Sequence, residues 1–139
     1  TLNLAFFDQR PLSTFTDAAP DVTDWFVGGH SLGGVRACLL AEDPTVTGVV
    51  LFGSFCSNDL STTSLEVLSI GGSDDGLSTP QKISDAASLL PNSASFVEIE
   101  GLNHAGFGNY GVQPGDGIAT ITSAEARTEI TAALMAFLG

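Results

Sequence analysis

The sequence predicts an α/β fold, a mainly parallel sheet of about four strands with helices on both faces. Two observations carry this. Short apolar or β-branched runs alternate with segments of helical periodicity along the chain. One of those runs, residues 46–53 (VTGVVLFG), is apolar throughout, as in a strand covered on both faces. Right-handed crossovers then place consecutive strands side by side.

The elements follow in order. Residues 2–7 (LNLAFF) are apolar and short, and 11–19 has a weak helical pattern; periodicity alone decides neither. Residues 24–28 read as a strand. A helix follows over 31–42, with Leu32, Val35 and Leu39 at helical spacing, and Asp43-Pro44 ends it. After the 46–53 strand comes another at 65–70 (LEVLSI), closed by Gly71-Gly72. Thr79-Pro80 opens the next helix, with threonine as N-cap and proline at the first helical position. Its apolar face carries Ile83, Ala86, Ala87 and Leu90, and Pro91-Asn92 stops it. Residues 95–100 (SFVEIE) form a strand. The last helix begins at Thr122, with Glu125 three residues on as a capping box and a stripe of Ala126, Ile130, Ala133, Leu134 and Phe137. Residues 101–120 are glycine-rich and irregular, the pattern of a functional or edge loop. No repeat or linker interrupts the chain, so its 139 residues read as one domain.

Composition narrows the function. Hydrophobic residues make up 43% and charged residues 14%, which is the balance of a packed globular chain. The net charge of −12, with only four Lys plus Arg, excludes a nucleic-acid partner, because phosphate contacts need clustered cations. No apolar run approaches the roughly 20 residues of a membrane helix, and no signal-peptide pattern starts at Thr1. The compartment is not indicated. Cys38 and Cys56 lack metal or redox spacing; core filling is the expectation for both, with a disulfide between them left open.

Chemistry concentrates at the carboxyl ends of the strands, where open parallel sheets collect functional groups. Gly29-His30-Ser31-Leu32-Gly33 is a G-x-S-x-G signature between a strand and a helix. Such a turn forces the serine to positive φ and needs glycines two positions away on either side. Asp74 and Asp75 leave the end of the 65–70 strand, and His104 leaves the 95–100 strand. A nucleophile, a carboxylate and an imidazole thus share one sheet edge in the order Ser, acid, His. A serine hydroxyl needs a base to become nucleophilic, and histidine has the matching pKa. His30 adjoins Ser31 and would point away from its hydroxyl, so His104 is the base by elimination. His30 itself reads as structural, packed beside the turn, and Tyr110 and Asp116 as loop scaffolding. The strand-end rule does not separate Asp74 from Asp75.

These residues resemble one family. Gly29–Gly34 (GHSLGG), Gly72–Leu77 (GSDDGL) and Gly101–Phe107 (GLNHAGF) are similar to the nucleophile, acid and histidine loops of cap-less α/β-hydrolases. The likeness is to the dienelactone-hydrolase-like group, also called alpha/beta hydrolase fold family 5, and it covers nearly the whole chain. The resemblance implies Asp75 as the acid and a serine esterase acting on a small ester-like substrate, with no metal or organic cofactor. Ser31, Asp75 and His104 would then be catalytic, with the Leu32 backbone N–H as one oxyanion donor. A second oxyanion donor ordinarily comes from a loop well upstream, and the family pattern implies about four further strands before residue 24. The expectation is therefore of an N-terminally incomplete hydrolase domain, whose exposed 24–27 edge calls for cover by a second copy or a missing N-terminal half. A non-catalytic binding module derived from the same fold is the alternative, and acyl transfer would use the same residues.

Overall fold

The computed structural model describes residues 10–139. A short helix, α1 (Ser13–Thr16), leads into β1 (Trp25–His30), α2 (Leu32–Leu40) and β2 (Val46–Phe52). Then follow β3 (Glu66–Gly72), α3 (Pro80–Ala86), β4 (Ser95–Ile99) and α4 (Ser123–Leu138). Single turns of 3-10 helix occupy Ala87–Leu89 and His104–Phe107. The four strands pair in parallel in the order β1-β2-β3-β4. The predicted α/β class and strand order are those observed. Residues 2–7 lie outside the described residues.

Alternation along the central strands builds two cores. Val49, Leu51 and Val67 face α2 with Cys38 and Ala41, while Val50, Leu68 and Ile70 face the other layer with Ala126 of α4. Each Val, Leu or Ile among them, once fully buried, contributes roughly 1.5–3 kcal/mol. The register between β1 and β2 skips one residue of β2, from Trp25↔Val46 to Phe26↔Gly48. This bulge puts Val46 on the same face as Val49 and Leu51. Helices cover both faces, and β1 and β4 form the sheet edges. Among the described residues no helix is long and apolar enough to cross a membrane.

Boundaries moved where glycines join the ladder. β1 extends two residues past its expected end, since Gly29 and His30 pair with Leu51 and Phe52. β3 likewise takes in Gly71 and Gly72, paired with Glu98 and Ile99. The helix expected over 31–42 begins at Leu32, because Ser31 is non-helical. Both N-caps are as read: Thr79 accepts from the Lys82 N–H, and Thr122 and Glu125 form the reciprocal capping box. The cysteine expectation needs correction. Cys38 and Cys56 are buried as filler would be, yet they form a disulfide. Cys38 on α2 and Cys56 in the loop after β2 have their Cα atoms 5.5 Å apart, within bridging range.

Candidate active site

Ser31 sits in the one-residue gap between β1 and α2 with φ 54° and ψ −125°. It is the one non-glycine residue at positive φ among those described. Such a conformation costs about 1–3 kcal/mol and persists only where surrounding bonds impose it. Those bonds are present: the Ser31 N–H donates to the Phe52 carbonyl at 3.1 Å. The buried Ser54 hydroxyl donates to the Ser31 carbonyl at 2.7 Å. Gly29 is required beneath the turn, because a Cβ there would collide with the backbone of Gly33 and lie 2.7 Å from the Gly34 nitrogen. The Leu32 N–H, the first of the following helix, is not consumed within α2.

The acid loop leaves β3 and is tied down by backbone bonds from Ser73 to Ile99 and from Asp74 to Leu102. Asp75 is 2% exposed. Its Oδ1 accepts the N–H groups of Leu77 at 2.8 Å and Ser78 at 2.7 Å, which fixes the carboxylate plane. Its Oδ2 lies 2.8 Å from His104 Nδ1. Gly53, at φ 47°, makes room for this group: a Cβ there would sit 2.9 Å from Asp75 Oδ2. Asp74 points elsewhere, accepting from Ser73 and Thr120 hydroxyls.

His104 opens the 3-10 turn after β4 and is 1% exposed. With Asp75 on Nδ1, its Nε2 is the nitrogen left for chemistry. Among the described residues no hydrogen bond joins it to the Ser31 hydroxyl, and such contacts often tighten only with substrate bound. The turn is fastened from below by Asp116. One carboxylate receives the backbone N–H groups of His104 at 3.0 Å, Ala105 at 2.9 Å, Gly117 at 2.8 Å and Gly76 at 3.3 Å. Burial raises its pKa, but these donors, Ala105 and His104 foremost, outweigh that and hold it below the ordinary carboxylate value. Asp116 therefore joins the acid loop to the histidine loop, the scaffolding read for it.

His30 ends β1 with its ring against the same cluster, 4.4 Å from the His104 ring and stacked on Tyr110 at 4.9 Å. Burial first, and then the neighbouring His104, push its pKa from 6.5 down to about 4. Its Nε2 is buried without a hydrogen-bond partner.

So β1, β3 and β4 deliver Ser31, Asp75 and His104 to one edge of the sheet, and Asp75 and His104 meet directly. Sequence reasoning missed Ser54. The strand-end rule, applied to β2 as to its neighbours, would have pointed to it. It also missed that Tyr110 reaches the His30 ring, a contact made across the glycine-rich loop that no local pattern announces.

Among solved structures, a dienelactone-hydrolase-like promiscuous phosphotriesterase from metagenomic libraries superposes with a TM-score of 0.59 at 18% identity, over 87% of this chain and 56% of its own. A thermophilic esterase from Thermogutta terrifontis gives 0.56 at 13% identity, over 67% and 62%. The esterase domain of a Rhodothermus marinus protein gives 0.55 at 19%, over 71% and 60%. At these identities what is shared is the fold. The chain spans 56% to 62% of the length of these three structures. Comparison with curated proteins finds no match. The pattern of the alpha/beta hydrolase family matches residues 1–128, nearly all of the chain, and the chain belongs to that family.

Proposed function

We propose that this protein is a serine hydrolase acting on carboxylic-ester-type bonds through a covalent acyl-enzyme. The observation that carries the reading is the buried 2.8 Å contact between Asp75 Oδ2 and His104 Nδ1 at the edge where Ser31 holds its positive φ. Ser31 Oγ attacks the carbonyl carbon while its proton passes to His104 Nε2. Asp75 keeps the proton on Nδ1 and stabilises the imidazolium that forms. The Leu32 N–H donates to the developing oxyanion, at the start of a helix whose dipole favours negative charge. The imidazolium then returns the proton to the leaving alkoxide, and the acyl group stays on Ser31. Water, activated by His104, attacks the ester so formed; the acid is released and the Ser31 hydroxyl is restored. Esterases among the structures of similar fold support the substrate class.

A fluorophosphonate probe tests this directly, because it phosphonylates only a serine that a base has activated. Labelling at Ser31 in the folded protein, abolished in Ser31→Ala, is the expected result. Absence of labelling in folded wild type, or persistence in the alanine variant, sinks the proposal in favour of a binding module.

A further inference from the structure

We propose that His30 is a positioning residue for His104: its ring is the surface against which the His104 imidazole is set, and Tyr110 braces that ring from the glycine-rich loop. The inference rests on the Ser31–His104 chemistry proposed above. His30 is held at the last position of β1, paired with Phe52 of β2, so its ring comes from the rigid sheet. His104 comes from a loop. The ring centroids are 4.4 Å apart at an interplanar angle of 42°, and Tyr110 stacks on His30 at 4.9 Å and 19°. Phe107, three residues past His104, adds a further contact at 5.5 Å. One sheet residue therefore meets three rings of the loop that carries the proposed base. Asp75 restrains His104 at Nδ1 alone, and a single hydrogen bond leaves the ring free to tilt about it. Packing against His30 supplies the second restraint, aiming Nε2 towards the turn where the adjoining residue, Ser31, lies. A misplacement of about 1 Å at such a group can cost on the order of 10²-fold in rate.

The charge state of His30 suits this role. The groups that bear on it are the His104 ring, the His104 backbone through a hydrogen bond that phenylalanine could not make, Asp75, Asp116 and Tyr110, with Arg10 and Arg36 lining the same groove beside β1. Burial and His104 keep it neutral well below neutral pH, so a full imidazolium at His104 does not face a second cation. A steric role for a neutral ring predicts that phenylalanine can replace it.

The test uses His30→Ala, His30→Phe and Tyr110→Ala in the full chain. Steady-state kinetics on a p-nitrophenyl ester is combined with the low-field proton resonance of the His104 Nδ1–H hydrogen bond. His30→Ala should lower kcat by roughly 10- to 100-fold with KM little changed, and broaden that resonance. His30→Phe should recover most of the loss and sharpen the resonance, with the acid limb of the pH profile unmoved, because the residue it replaces is already uncharged there. Tyr110→Ala, at an exposed position, should broaden the resonance in a protein that remains folded. The proposal is overturned if the resonance stays sharp in Tyr110→Ala and His30→Ala, or if His30→Phe is no better than His30→Ala. Fluorophosphonate labelling of wild type separates the two readings, since its failure removes the hydrolase proposal while the resonance still reports how His104 is held.

Discussion

The Ser54 hydroxyl donates to the carbonyl of Ser31 across 23 residues of chain, at 2.7 Å. It reaches from the end of β2 to hold the one strained non-glycine residue described. With the Ser31 N–H bonded to Phe52, both backbone polar groups of Ser31 are clamped, one to the last residue of β2 and one to the loop just past it. The energy stored at positive φ is offset by these bonds and by the packing around them.

Removing this clamp should show in both stability and reactivity. Ser54→Ala leaves the Ser31 carbonyl without its side-chain donor and is expected to cost about 1 kcal/mol. Urea unfolding measures that loss. On the proposed chemistry, the rate of fluorophosphonate labelling at Ser31 falls as well. An unchanged labelling rate would mean that the turn holds its shape without Ser54.

Asp75 and Asp74 should behave very differently although they are adjacent. Asp75→Asn keeps the shape and loses the acceptor that faces His104 Nδ1; on the proposed chemistry, kcat should drop about 10³–10⁴-fold. Asp74→Asn disturbs only hydroxyl contacts with Ser73 and Thr120 and should stay within about twofold of wild type. Equal losses in the two variants would count against Asp75 as the orienting carboxylate.

Two groups at the site shape the acid side of the stability profile, beside the exposed Asp43, Asp59 and Glu125 that local hydrogen bonds also hold low, and the signs follow from linkage. His30 titrates near 4 when folded and at 6.5 when unfolded, so between those values the unfolded chain binds more protons. Stability therefore falls as pH drops from 6.5, and this contribution levels off below about 4. Asp116 is held below its ordinary 3.8, so its stabilisation is present above that value and is lost as pH falls through the folded pKa. His30→Phe should flatten the first window and Asp116→Asn the second. Urea unfolding from neutral to acid pH checks both; parallel profiles for wild type and His30→Phe would refute the first assignment.

The disulfide gives a test independent of catalysis. Closing a loop with a sequence separation of 18 restricts the unfolded chain by about 3 kcal/mol in the chain-entropy account. The double variant Cys38→Ala/Cys56→Ala should lose stability of that order while keeping the fold, since both positions lie in the core beside α2 and β2. Thiol titration of wild type, denatured without reductant, should find no free thiol; two would contradict the bridge.

How much of this was legible follows from range. The alternation of strands and helices, the Thr79 and Thr122 caps, and the positive φ demanded at Ser31 depend on residues close together in the chain. Each could be read from the sequence because its cause is local: steric exclusion at a tight turn, orphan N–H groups at a helix start, side-chain period. Strand ends slipped by about two residues. Gly29, His30, Gly71 and Gly72 have weak strand preference and are held by pairing to a neighbour, which periodicity does not register.

The sequence by itself determined the α/β class, the order of strands, and which three strand ends carry a serine, a carboxylate and a histidine. Family resemblance already pointed to Asp75 rather than Asp74; tertiary structure decided that its carboxylate meets His104, that Cys38 and Cys56 bond, and that Asp116 ties two loops together. It also brought His30, Tyr110 and His104 into one ring cluster. The physical reason is the same throughout. Backbone preference and hydrophobic period act over a few residues, whereas a carboxylate finds its partner, and a ring its neighbour, only when the sheet has fixed where the loops leave it.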